Sequence, residues 1–100
     1  MLNSKQRAKI RSYANTQETV CTIGKEGLTD AVLESILAAL SAREVIKVSI
    51  NQNLSTEPQE LADEIAKKLK ADVAGVVGRK IILYKYSAKV KEHIDIKTAD

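Results

Sequence analysis

Residues 22–40 read TIGKEGLTDAVLESILAAL, a strand end, a glycine-flanked turn and an amphipathic helix in one unbroken stretch. Thr19-Val20-Cys21-Thr22-Ile23 is a run of β-formers closed by Gly24. Thr29 is a good N-cap, Asp30 puts a carboxylate in the first helical turn, and Leu28 and Leu33 stand where a hydrophobic staple places them. Val32, Leu33, Ile36, Leu37 and Leu40 then make an apolar stripe that runs to about Arg43. The next strand follows at once. Val45-Ile46-Lys47-Val48-Ser49-Ile50 alternates, with Ile46, Val48 and Ile50 on one face and Lys47 and Ser49 on the other.

Outward from this strand-helix-strand unit, residues 4–15 read as a helix: Leu2, Ile10, Tyr13 and Ala14 share one arc, with Arg7 and Arg11 one turn apart beside it. On the other side, Asn51-Gln52-Asn53 ends the strand and a third helix begins near Thr56, which forms a T-x-x-Q capping box with Gln59 and tolerates Pro58 in its first turn. Leu61, Ala62, Ile65, Ala66 and Leu69 are its buried stripe. Val73–Val77 and Lys80–Lys85 are two last strands joined by a tight hairpin at Gly78-Arg79. Beyond Tyr86 the apolar pattern fades, so residues 1–86 are expected to form one domain and residues 87–100 a loosely attached polar tail.

The order α-β-α-β-α-β-β predicts an α/β (α+β) fold of two layers around a four-stranded mixed sheet. Two strand connections contain helices, so the first three strands are expected to be parallel and the last antiparallel to the third. The second and third helices then cover one face, burying Leu33, Ile36, Leu37, Leu40, Leu61, Ile65 and Leu69 with Ile46, Val48 and Ile50.

With 100 residues, 44% hydrophobic and 29% charged, the chain holds one ordinary globular domain. A lone Cys21 leaves no disulfide partner and suits a reducing cytoplasm. No apolar run approaches the roughly 20 residues of a bilayer span, and the basic N-terminus lacks the apolar stretch of a secretory signal. The net charge of +3 is modest, but its distribution is not even. Residues 1–17 carry Lys5, Arg7, Lys9 and Arg11 with no acid, and residues 79–91 carry Arg79, Lys80, Lys85, Lys89 and Lys91 with no acid. Side by side in the fold, these segments form a surface suited to a polyanion; on opposite sides they are merely solvated faces.

Catalytic and metal-binding patterns are missing. His93 is far from Cys21 in sequence, which leaves a thiol–imidazole pair without support. There is no phosphate loop, no dinucleotide fingerprint and no Cys or His pair at metal-ligand spacing. Asp30 with Glu34 and Glu60 with Glu64 lie one helical turn apart and read as solvated carboxylates. Neither an enzyme nor a cofactor is expected. What remains is Gly24-Lys25-Glu26-Gly27 between a strand and a helix N-terminus. Two glycines permit a sharp turn and close approach to the main chain, the helix end offers unpaired amides, and Lys25 adds a charge. The plainer reading is a turn that simply needs glycine.

LNSKQRAKIRSYAN, TIGKEGLTDAVLESILAAL, EVIKVSI, ELADEIAKKLKAD and VVGRKIILYKYS together make the chain resemble the CRM domain, the chloroplast RNA splicing and ribosome maturation family, in its bacterial stand-alone YhbY-like form. The resemblance runs from about Leu2 to Tyr86. It implies an RNA-binding fold similar to the C-terminal domain of a bacterial translation initiation factor, a loop analogous to that of KH domains, and association with precursors of the large ribosomal subunit. Carried onto this chain, it places RNA contacts at Gly24, Lys25, Glu26 and Gly27, on the first helix at Lys5, Arg7 and Arg11, and on the hairpin at Arg79 and Lys80. Glu26 is a departure, since a carboxylate in a phosphate-facing loop is repulsive unless it turns away or caps a helix amide.

With no Phe or Trp and only Tyr13, Tyr84 and Tyr86, the chain lacks the aromatic platform that stacks bases, so backbone and shape are expected to dominate recognition. The expectation is a cytoplasmic, monomeric, non-enzymatic protein that binds rRNA of precursor large subunits. The alternative from another class is a protein-interaction module that docks a ribosomal protein.

Overall fold

Asn3 opens the chain's first helix with a reciprocal cap: its side chain accepts from the Gln6 amide at 2.8 Å and its own amide donates to the Gln6 side chain at 3.0 Å. The computed structural model describes residues 2–88 and 90. In chain order the elements are α1 (Ser4–Ala14), β1 (Cys21–Ile23), α2 (Asp30–Arg43), β2 (Val45–Ile50), α3 (Pro58–Leu69), β3 (Asp72–Val77) and β4 (Lys80–Tyr84). This is the α/β order and the four-stranded mixed sheet that the sequence indicates. Thr29 caps α2 as expected, accepting from the Val32 amide at 3.2 Å.

α3 starts differently from its sequence reading. The expected box of Thr56 and Gln59 is absent: Glu57 is the N-cap and makes no side-chain capping bond, while Gln59 Nε2 donates to the Asp63 carboxylate at 3.0 Å. Proline is the cause. Pro58 forces the residue before it into the extended region, so Glu57 has to be the last non-helical residue and Thr56 stands one position too early to cap.

The strands lie in the order β1-β2-β4-β3. β1 pairs with β2 in parallel, and β4 is antiparallel to both β2 and β3, so β1, β2 and β3 all run one way as expected. The last strand is inserted in the middle of the sheet. Its run Ile81-Ile82-Leu83-Tyr84 is buried throughout, which is what a strand covered on both faces requires.

α2 and α3 share one face, over a core of Ile23, Ile36, Leu40, Ile46, Val48, Ile50, Leu61, Ile65, Ile81 and Leu83. α1 covers the other face, where Leu2, Ile10 and Ala14 meet Val45, Ala74, Ile82 and Tyr84. The expected pair of layers thus gains a third. Leu33 and Leu69 pack half-buried against the main core, but Leu37 is 37% exposed and Tyr13 42%. Both fall one residue off the ridge that makes contact, which is 32-36-40 in α2 and 2-6-10-14 around α1.

Ser87, expected at the start of a loose tail, is buried. Its amide donates to the carboxylate of buried Glu44 at 2.8 Å and its hydroxyl to the Ser41 carbonyl at 2.5 Å. Residues 91–100, including His93, lie outside the described residues, as does Lys89.

Candidate nucleic-acid interface

Gly24 to Gly27 close a β-turn: the Gly27 amide donates to the Gly24 carbonyl at 3.0 Å, and Gly27 sits at φ 79°, where an L side chain is strained. Thr29 then donates its amide to the Gly27 carbonyl at 3.1 Å before capping α2. Lys25 and Glu26 occupy the two exposed corners. Their amides and side chains make no hydrogen bond among the described residues, so Glu26 does not cap the helix. A β-carbon on Gly24 or Gly27 meets no atom of the described residues within 4 Å, which leaves room for a ligand against the main chain.

The opposite wall is the loop after β2, whose sequence marks no more than the end of a strand. The Asn51 amide donates to the Ile23 carbonyl at 2.9 Å, the Asn53 amide to the Asn51 side chain at 2.8 Å, and Arg79 Nη2 to the carbonyls of both Asn51 and Leu54 at 2.7 Å. Asn51 and Asn53 thereby face Gly24–Gly27 across an open cleft of 540 Å³. A signal for them was present: β1 and β2 are parallel neighbours, so the loops after both emerge at the same end of the sheet, the usual location of ligand sites in such folds.

The hairpin Gly78-Arg79 lies at this end too, with Lys80 paired to Ser49. Lys25, Arg79 and Lys80 are therefore brought to one end of the molecule. Arg79, half-buried, spends its Nη2 on the loop carbonyls and braces the cleft wall. Lys25 and Lys80 are exposed, and their side chains form no ion pair among the described residues. Arg7 and Arg11 belong to α1 and are engaged by backbone carbonyls. α1 lies on the face away from α2, Arg7 donates to the Leu2 carbonyl at 2.9 Å and to the Ser4 hydroxyl at 3.2 Å, and Arg11 donates to the Ala74 carbonyl at 2.9 Å. Lys5 is exposed on α1. Lys80, on the α1 face and at the loop end, is the cation that stands between the two groups.

Elsewhere the chemistry is quiet. Burial pushes the half-buried Cys21 thiol up, away from the reactive thiolate. Among the described residues no group of His, Cys, Asp and Glu is placed to hold a metal ion, and no helix is long and apolar enough to cross a membrane. Asp30, Glu34, Glu60 and Glu64 are exposed, and Glu64 pairs with Lys68 at 3.4 Å.

Comparisons with known proteins identify the family and the fold. The Bacillus subtilis (strain 168) protein named "Probable RNA-binding protein YqeI" is 35% identical over 92 residues, which cover 92% of this chain and 96% of that protein. A Haemophilus influenzae protein named "RNA-binding protein" is 30% identical over 90 residues, covering 90% and 91%. The solution structure of SAV1595 from Staphylococcus aureus superposes with a TM-score of 0.81 at 31% identity, covering 99% of this chain and all of that one. The family model of the CRS1/YhbY (CRM) domain matches residues 2–85, from the capped start of α1 through the end of β4, and the chain belongs to that family.

Proposed function

We propose that this protein binds RNA through the loop end of its sheet, and that the RNA is rRNA of precursor large ribosomal subunits whose assembly it assists. The observation that carries the reading is the turn at Gly24–Gly27, where exposed Lys25, unpaired amides and open space over both glycines meet. Such a site takes a phosphate by main-chain donors and charge rather than a base by stacking. The names of its relatives support the same partner. The protein acts without catalysis, as a cytoplasmic monomer, and the domain through Tyr86 is the binding unit.

Crosslinking in cells followed by sequencing of the bound RNA tests the partner, and fluorescence anisotropy against transcribed large-subunit rRNA tests the mode. Enrichment of pre-rRNA, with an affinity that falls steeply with salt, is the expected result. Recovery of a ribosomal protein with salt-tolerant affinity and no RNA favours the protein-docking alternative.

A further inference from the structure

α1 covers only part of its face of the sheet. Its apolar contacts are Val45, Ala74, Ile82 and Tyr84 on β2, β3 and β4, and no residue of β1 belongs to that cluster. Side chains alternate along each strand, so Thr22, Lys47, Ser49 and Lys80 all emerge on the α1 face, because Ile23, Ile46, Val48, Ile50 and Ile81 face α2 and α3. Register places Thr22 opposite Ser49 and Ser49 opposite Lys80, and Lys47 lies two residues before Ser49. At about 4.8 Å between strands, the row Thr22-Ser49-Lys80 spans about 10 Å, with Lys47 about 7 Å to one side. We propose that this open, polar half of the sheet face is a second backbone-binding track, which holds RNA phosphate as the strand passes from the glycine loop onto the sheet. The inference rests on the RNA-binding reading above and extends it from Lys80 of the hairpin to Lys47, Ser49 and Thr22, which the sequence did not point to.

Three features single out the row. Lys47 and Lys80 are diagonal neighbours of like charge, within reach of one shared anion, and neither side chain forms an ion pair or hydrogen bond among the described residues. The hydroxyls of Thr22 and Ser49 are 3.0 Å apart, so one donates to the other and the acceptor keeps its own proton for a phosphate oxygen. Thr22, Ser49 and Lys80 follow one another with no aromatic or apolar side chain between them, and the row ends at exposed Val77, paired with Lys80 on β3, so the track fits a sugar-phosphate backbone and not a stacked base.

The test measures affinity against salt for poly(U) and for transcribed large-subunit rRNA, using the full chain and variants checked for folding by thermal melting. Lys47→Gln removes the charge and keeps a polar, uncharged side chain. It should flatten the slope of log affinity on log salt by about 0.7–0.9, one phosphate contact, and Lys47→Gln with Lys80→Gln by about twice that. Lys47→Arg should retain the parent slope. Lys67→Gln, an exposed lysine on α3, is the control that should change nothing. If the double variant keeps the parent slope while Lys25→Gln flattens it, RNA binds at the loop and the sheet track is refuted. If the parent binds neither RNA, the RNA-binding reading falls and the track with it.

Discussion

Arg11 lies across Gly75. Its Nη1 donates to the Ala74 carbonyl at 2.9 Å, and its Cδ occupies the space where a β-carbon on residue 75 would come within 2.5 Å. The strand is irregular at this point, with a register shift between Val73 and Gly75 that frees the Ala74 carbonyl from the β4 ladder. A bulge, a glycine and a guanidinium sixty-odd residues away in sequence thus form one joint, and it is this joint that holds α1 to β3.

That joint predicts coupled energetics. Arg11→Ala removes a part-buried charged hydrogen bond and the packing of its stem, and should destabilise the fold by roughly 1–3 kcal/mol. Gly75→Ala should cost about 1–3 kcal/mol in the parent through overpacking and much less in the Arg11→Ala background, where the space is free. Additive effects in a denaturant double-mutant cycle would show that the two residues do not share the space.

The division between ridge and flank along α2 predicts a second contrast. Ile36 is fully buried while its neighbour Leu37 is 37% exposed. Ile36→Ala should cost about 2–5 kcal/mol and Leu37→Ala no more than about 0.5 kcal/mol. Chemical denaturation of the two variants is the measurement, and equal losses would mean that Leu37 is covered in solution.

How far the sequence could be read depended on the range of the interactions. α2 was legible because Thr29, Asp30 and the 32-36-40 ridge are all local signals, and β4 because four successive apolar residues announce a strand. Which strand β4 would join besides β3 was not local: the pairing of Ile81 with Val48 crosses α3 and has no signature in either segment. The stripe of α1 showed which side chains are buried but not against which face of the sheet. For the candidate site, Gly27 and Lys25 were legible as a turn and a charge. Arg11 and Arg79 were legible only as charges, since the carbonyls that occupy them come from distant parts of the chain. Asn51 and Asn53 became part of a cleft only once β1 and β2 were paired.

Alkaline stability should report on Tyr84. Burial, then the charges of Glu44 and Asp72, then Tyr86, hold its phenol above the ordinary value near 10. The unfolded chain therefore ionises first, and between the ordinary and the raised value the folded state binds more protons, so stability falls as pH rises through that window and is flat below it. Cys21 is shifted in the same direction from near 9, so the comparison is made in a Cys21→Ala background. Melting temperatures should decline above about pH 10, and Tyr84→Phe should make that decline shallower. An unchanged decline in Tyr84→Phe assigns it to other groups.

The loop prediction separates main-chain contact from charge. Gly27→Ala is a poor probe of contact, because at φ 79° an added side chain costs roughly 1–2 kcal/mol of fold stability whether or not RNA is bound. Gly24 is the better one: it has no such conformation, and a β-carbon there meets no atom of the described residues within 4 Å. Gly24→Ala should leave the melting temperature nearly unchanged and weaken RNA binding with little change in salt slope, because it obstructs approach without removing charge. Lys25→Ala should flatten the slope by about 0.7–0.9. Among the described residues Glu26 has no partner, and it stands at the exposed corner beside Lys25, so Glu26→Gln should strengthen binding, most at low salt, where a repulsive carboxylate is least screened. Folded Gly24→Ala and Lys25→Ala variants that bind transcribed rRNA as tightly as the parent would reduce Gly24–Gly27 to a turn and move the site to the sheet face and the hairpin.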